Sequence, residues 1–336
     1  MKVTIKDVAK EANVATSTVS RVLSNSNRIS EETKARVNDA IKKLNYTPNI
    51  VARGLANKKT RILAVILPNE AEDIFSNPFF IQAMKGISIC AQQENYYIMY
   101  GFNQDKDNEK EWLKKFINSN LVDGICLLKV KENDEIVCYL KEINFPFVVV
   151  GRPDNIQNIL WVDNDNVKAM YDLVNKLISY GHRKIGFLGA KFKLNVSRDR
   201  LSGYKKALID NNIEIKNELI YEVNEFNKES GKLGTIKILE SSTPTAIVAI
   251  DDLLAFGTIE VLNSRKLKDI SIVGFNNIQI SEYQTPALAS VDINSEKLGY
   301  YATKLIINKL EGKECNLTSH IIETKLIERE SLKINK

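Results

Sequence analysis

Val3-Thr4-Ile5-Lys6-Asp7-Val8-Ala9-Lys10-Glu11-Ala12-Asn13-Val14, followed directly by Ala15-Thr16-Ser17-Thr18-Val19-Ser20-Arg21-Val22-Leu23, decides the fold of the first part of this chain. Ile5, Val8, Ala9 and Ala12 recur at helical spacing and should pack on Val14, Val19 and Val22 across a short turn. Thr4 is placed to cap the first helix, with Asp7 near its positive end. Asn13 falls at the turn, where asparagine tolerates left-handed backbone. The second helix then exposes Thr16, Ser17 and Arg21. An arginine can fork onto guanine O6 and N7, while short polar residues reach base edges or phosphates. A third helix is predicted from near Ser30, burying Val37, Ala40, Ile41 and Leu44 and stopping before Pro48. Two short helices joined this way form a major-groove reader.

Charge supports that reading. Residues 1–60 hold 12 Lys or Arg against 5 Asp or Glu, whereas the remainder holds 35 against 37. A basic head on a near-neutral body is the electrostatic footprint of nucleic-acid binding confined to one end. The chain of 336 residues suits two or three domains, and its 44% hydrophobic and 26% charged shares are those of a soluble globular protein. No apolar run approaches a membrane span and no signal-peptide core begins the chain, so a cytoplasmic protein is expected. Cys90, Cys126, Cys138 and Cys315 lack paired spacing, and only His182 and His320 could join them, which argues against a zinc site or disulfide framework.

The head resembles the DNA-binding headpiece of the lactose-repressor/galactose-repressor family, whose pattern is close to T-I-x-D-V-A-x-x-A-G-V-S-x-x-T-V-S-R-V. Asn13 stands where glycine is usual, and Ala15 where serine is usual, a missing cap worth about 1 kcal/mol unless Thr16 substitutes. The resemblance implies that Thr16, Ser17 and Arg21 read bases, and that Thr18, Ser20, Arg28, Tyr46 and Asn49 hold the DNA backbone. It also implies that residues 48–60 form a hinge helix, with Leu55 and Ala52 entering the minor groove and Leu55 wedging a base step. A helix well short of about 12 residues and carrying Gly54 is marginal alone and should order only on DNA beside its partner.

From Arg61 onward strands alternate with helices. Ile62 to Leu67, Tyr96 to Tyr100, Gly124 to Leu128 and Phe147 to Val150 read as one set of strands. Ile159 to Val162, Ile185 to Leu188, Ala246 to Ile250 and Ile272 to Gly274 read as a second. Alternation of this kind means parallel sheets covered on both faces, with a ligand gripped at the carboxyl ends of the strands. The expected architecture is a small all-α helix-turn-helix headpiece (1–47), a hinge (48–60) and an α/β body (61–333). The body should comprise two doubly wound parallel-sheet lobes of periplasmic-binding-protein type. The first lobe is expected at about 61–159 plus 291–319 and the second at about 160–290 plus 320–333.

The family resemblance extends over the body through Asn77-Pro78-Phe79-Phe80, Val122-Asp123-Gly124, Gly181-His182-Arg183-Lys184-Ile185, Asp199-Arg200-Leu201-Ser202-Gly203-Tyr204 and Val273-Gly274-Phe275. It implies that Arg200 forks onto sugar hydroxyls and that Asp251 and Asn276 face the same ligand. Phe75, Phe79 and Trp161 could stack on a pyranose. Other readings of these residues are a surface ion pair for Arg200, a helix cap for Asp251 and simple core for Trp161. Stretches such as Pro146 to Pro153, Val162 to Asn166 and Val196 to Arg200 are similar to maltose-operon repressors of low-GC bacteria. They bring Arg152 and Asp163 into the candidate set and imply maltose or a short maltodextrin as effector. The resemblance thus implies a homodimeric repressor that reads a pseudo-palindromic operator and is released by sugar. The alternative is a global carbon-catabolite regulator driven onto DNA by a phosphorylated partner protein. No catalytic set, phosphate loop or metal constellation is legible, so neither an enzyme nor a bound cofactor is expected, and His182 has no nucleophile or acid at recognisable spacing.

Overall fold

A computed structural model of the chain describes residues 3–23, 27–47, 59–67, 77–102, 108–313 and 317–335. The chain forms two units, Met1–Thr60 and Arg61–Lys336. In the first, helices α1 (Ile5–Glu11), α2 (Thr16–Leu23) and α3 (Glu31–Lys43) all touch one another. They close over Val8, Ala9, Ala12, Val19, Val22, Val37 and Ala40, the apolar positions that helical spacing picks out. The Asp7 carboxylate accepts the Thr4 N–H at 2.8 Å and the Thr4 hydroxyl at 2.7 Å, which holds the start of α1 and lowers the Asp7 pKa. Asn13 takes the left-handed conformation at φ 50°, as the turn requires. The Ala15 carbonyl accepts the first amides of α2, those of Thr18 and Val19. Ser30 caps α3, whose acidic first turn and basic last turn both suit its dipole.

The body begins with β1 (Ile62–Ile66), α4 (Pro78–Gln93), β2 (Tyr97–Gly101), α5 (Glu109–Asn118), β3 (Gly124–Leu127), α6 (Glu135–Glu142), β4 (Phe147–Val150) and β5 (Leu160–Asn164). It continues with α7 (Asn166–Ser179), β6 (Ile185–Ala190), α8 (Asn195–Asp210), β7 (Ile220–Val223), α9 (Lys228–Ser241), β8 (Ala246–Ala249), α10 (Asp252–Ser264) and β9 (Ser271–Phe275). It ends with β10 (Ala289–Asp292), α11 (Ser295–Leu310), β11 (Ser319–Ile322) and β12 (Lys325–Ile327). One sheet runs β11-β5-β4-β3-β1-β2 and is parallel throughout; the other runs β12-β10-β9-β8-β6-β7, with only β12 antiparallel. Strands buried on both faces explain why these runs lack alternation. In the first sheet Leu63, Val65, Val148 and Val162 face α4 and α11, while Ala64, Ile66, Val149 and Trp161 face α5 and α6. Helices α4 and α11 approach backbone to backbone. A Cβ on Gly86 would lie 1.9 Å from the Glu296 carbonyl, and one on Gly299 2.0 Å from that of Ala83.

The lobe limits differ from the sequence expectation. Leu160–Asn164 pairs with β4 and belongs to the first sheet, not the second; the chain crosses after Asn164. Likewise Ser319–Ile322 lies wholly in the first sheet, so the last crossing follows Ile322. Apolar runs announce a strand without saying which sheet accepts it, and that choice is made by hydrogen-bond partners far away in sequence. The predicted hinge helix, with Asn49, Ala52 and Leu55, lies outside the described residues.

Three passes join the lobes, after β5, after β10 and after β11. One side chain ties all three. Asn164, 4% exposed, donates through Nδ2 to the Ile293 carbonyl at 3.0 Å and the Ile322 carbonyl at 2.9 Å. Replacing it leaves two buried carbonyls unpaired, at about 1–3 kcal/mol each in the worst case. Asn164→Ala is therefore expected to lower the denaturant midpoint of the body clearly. A midpoint indistinguishable from that of the parent would show that the passes do not depend on this amide.

Candidate functional site: a polar helix face and an interlobe cleft

The outer side of α2 carries Thr16, Ser17, Ser20 and Arg21, all exposed, opposite the buried Val19 and Val22. Thr16 with Ser20 and Ser17 with Arg21 are spaced four apart, so they form two adjacent rows on one face. Thr18 is half-buried at the flank, and Arg28 is exposed. Tyr46 packs its ring on the headpiece core. The sequence-predicted base readers thus share one surface, presented by a helix whose position two neighbouring helices fix.

In the body the loops at the carboxyl ends of the strands enclose a cavity of about 190 Å³ between the lobes. Its polar floor is built by helix caps. Asn77 caps α4, accepting the Phe79 N–H on Oδ1 at 3.0 Å, and turns its Nδ2 across the cleft to Asp251 Oδ2 at 3.1 Å. Asp251 in turn caps α10, accepting the Leu253 N–H at 2.7 Å, and also receives Asn276 Nδ2 at 2.7 Å. Asp251 is thus a helix cap through Oδ1, while its Oδ2 receives both asparagines and the residue lines the cavity.

Arg200 is the charged centre. It is 4% exposed, donates from Nε to Asn166 Oδ1 at 2.9 Å and from Nη1 to the Ile250 carbonyl, and lies 4.2 Å over the Phe275 ring. Nη2 has no partner among the described residues, which leaves a donor for a ligand. Burial pulls the guanidinium pKa down to about 10, against the opposing charges of Asp251 and Asp163, so it stays protonated at neutral pH. Asp163 accepts the Arg152 N–H at 2.9 Å, the Asn164 N–H at 2.8 Å and Asn166 Nδ2 at 3.0 Å. A chain of contacts therefore runs from Asp163 through Asn166 to Arg200. Burial raises Asp163 and Asp251 to about 6 and the neighbouring Asp252 to about 7.

Apolar surface completes the cavity: Phe79, Phe80, Phe226, Val130, Val150, Leu194 and Val196. Planar hydrogen-bonding groups beside aromatic faces suit a ligand with hydroxyls on its edge and C–H groups on its face. Arg200, Asp251, Asn276, Asp163 and Phe79 come together here. Trp161 does not: it is buried on the α5/α6 side of the first sheet, in the core with Phe147 and Val149. The Arg152 guanidinium covers that indole at 5.5 Å instead of lining the cavity, and the residue contributes through its backbone. Trp161 lies in β5, but the pleat turns it to the opposite face, and Arg152, which the resemblance brings into the candidate set, is not in the cavity lining. Phe75 lies outside the described residues. Asn77, Phe80, Asn164 and Asn166 lie in stretches that carry the family resemblance without being candidate site residues, and Phe226 lies in none of them. Asn77 before Pro78 carried a helix-start signature that could have found it; Phe226, after the weakly apolar β7, carried none. His182 is structural, its ring nitrogens 3.0 Å from Thr245 Oγ1 and 2.9 Å from the Lys333 carbonyl.

The raised carboxyl pKa values set a sign. An acid with a higher pKa folded than unfolded stabilises the fold below its unfolded pKa of 3.8, and that stabilisation is lost as pH rises through about 6. For Asp251 this amounts to about 1 kcal/mol between pH 5 and pH 7. The difference in unfolding free energy between those two pH values is expected to change by that amount, in that direction, in Asp251→Asn. An unaltered pH slope would show that Asp251 titrates as it does in the unfolded chain.

Comparison with known proteins follows the same division. The profile of "Bacterial regulatory proteins, lacI family" matches residues 4–49, and that of "Periplasmic binding protein-like domain" matches residues 174–332. HTH-type transcriptional regulator MalR of Streptococcus pneumoniae is 35% identical over 98% of this chain and 100% of its own length. Catabolite control protein A of Staphylococcus xylosus is 35% identical over 87% of each chain. Among solved structures, a complex of the transcriptional regulator CelR with cellobiose superposes with a TM-score of 0.75 at 26% identity, covering 98% of this chain and 100% of that one.

Proposed function

The chain belongs to the lacI family of bacterial regulatory proteins and is a transcriptional regulator; from that premise we propose that it represses carbohydrate-utilisation genes and is released by maltose or a short maltodextrin. The observation that carries the effector reading is the cleft itself. A buried arginine with an unpartnered donor, two capping side chains and flanking phenylalanines surround a space between two lobes. The likeness to MalR and to a regulator solved with a disaccharide supports a glucose-built sugar there. Thr16, Ser17 and Arg21 would read bases in each half-site of a pseudo-palindromic operator, bound by a homodimer in the cytoplasm. The curated relatives are regulators, and nothing in the cleft is asked to do covalent chemistry.

The likeness to Catabolite control protein A supports a second reading, in which a phosphorylated partner protein drives the regulator onto DNA. Operator-fragment binding at fixed salt, titrated with maltose, maltotriose, glucose and glucose 6-phosphate, separates the two. Release by maltose or maltotriose alone is expected. Binding that needs an added phosphoprotein, and that no sugar releases, would establish the second reading in its place.

Two substitutions test the two sites separately. Arg21→Ala is expected to weaken operator binding by about 1–3 kcal/mol and binding to random duplex much less. Equal losses on both would remove base reading from Arg21. Arg200→Ala should retain operator binding and lose the sugar response; a normal response would place the effector elsewhere.

A further inference from the structure

The cleft has one wall that is made by main chain, and it spans both lobes. The loop after β3 and the loop after β6 meet there. Lys131 and Leu194 form an antiparallel bridge, the Glu132 N–H donates to the Lys193 carbonyl at 2.9 Å, and the Asn195 N–H donates to the Val130 carbonyl at 3.3 Å. Each side of this clasp is anchored. On the first lobe, Asp134 caps α6 through Oδ1 and holds the Lys131 N–H on Oδ2 at 3.3 Å. On the second, Asn195 at the start of α8 donates from Nδ2 to the Arg152 carbonyl at 2.9 Å, and Arg198 pairs with Asp154 at 2.7 Å. The ion pair is half-exposed and weak; the clasp rests on the backbone bonds.

Leu194 sits in the middle of the clasp, and its surroundings suggest what it does. With Leu128 and Lys129 it lines the main cavity and also a second cavity of about 70 Å³ beyond. That outer space continues between Ile66, Leu67 and Ile136, and Glu109, Lys131 and Asp134 also line it. We propose that Leu194 is the length stop of the effector cleft, the residue that limits how many sugar rings the site accepts; this rests on the sugar-binding reading above. A ring reaching this end meets an isobutyl group flanked by amides and carbonyls already bonded to each other. The polar side chains that line the outer space but not the main cavity, Glu109, Lys131 and Asp134, lie beyond that group, so a further ring is stopped before its hydroxyls can pair with them. Trimming the side chain joins the two cavities and leaves the clasp, which is backbone, in place.

The test is calorimetric binding of maltose, maltotriose and maltotetraose to the full chain and to Leu194→Ala. The ratio of maltotriose to maltose affinity is expected to rise about tenfold or more in the variant. Leu194→Val, a one-carbon trim that also guards against a folding defect in the larger truncation, should move the same ratio about fourfold in the same direction. A ratio unchanged in both variants, or equal losses for all three sugars, overturns the length stop while leaving the cleft as a sugar site. A parent protein that binds none of the three sugars overturns the sugar reading, and the length stop with it.

Discussion

Two lobes joined by three strands have three places where regular hydrogen bonding must stop, and carbonyls stranded there have to be satisfied inside the protein. Asn164 meets that constraint with one amide, its two hydrogens going to the passes after β10 and β11 while its own backbone ends β5. An asparagine can do this because its Nδ2 carries two donors in one plane. The consequence reaches beyond stability. Any movement of one lobe on the other must occur around a point where all three strands are tied, which favours rotation over sliding. The same residue lines the cleft and its neighbour Asp163 organises the contacts of Arg200, so the pivot and the cavity wall share a segment of five residues, 162–166.

The electrostatics of the cleft follow from what closure buries. Arg200 and the carboxylates of Asp163 and Asp251 are almost wholly withdrawn from water, and each carries a pKa displaced toward its neutral form. Such an arrangement is tolerable because most polar atoms of these groups have oriented partners in caps, amides and one another, with Arg200 Nη2 the exception among the described residues. Asp251 is held by a helix amide and two asparagines, one from each lobe. The hydrogen-bonding directions on the cavity wall are thus set by the protein itself, which would leave little ordering to be done on binding.

The headpiece was almost fully legible because its information is local. Three helices within 45 residues are specified by spacing, by the Asp7 and Ser30 caps and by Asn13, and the core positions follow from periodicity. In the body, strands β1, β3, β4 and β6 announced themselves as apolar runs, yet the assignment of β5 to a sheet did not. Its partners, β4 and β11, lie on both sides of it in sequence, and the nearer helices belong to different lobes. Trp161 shows the same limit at a single residue. It has the chemistry of a stacking platform, but facing is decided by a two-residue period whose phase can be set only once the sheet is known. Arg200 and Asp251 were legible through resemblance; Phe226 and the clasp were not, because they depend on loops meeting across the cleft.

If a ligand of the body is to act on the headpiece, it can do so only as a difference in affinity between two arrangements of the body. A cleft whose walls already touch, through Asn77 to Asp251 and through the clasp, is one of those arrangements. A ligand that merely filled it without improving on those contacts would shift nothing, however tightly it bound. The donor left on Arg200 is where such an improvement can arise. A group accepting from it would add a bond to the arrangement in which the walls touch, and linkage would carry that bond into any equilibrium coupled to it. What matters for any ligand of this cleft is therefore less how many contacts it makes than which of them the protein does not already make for itself.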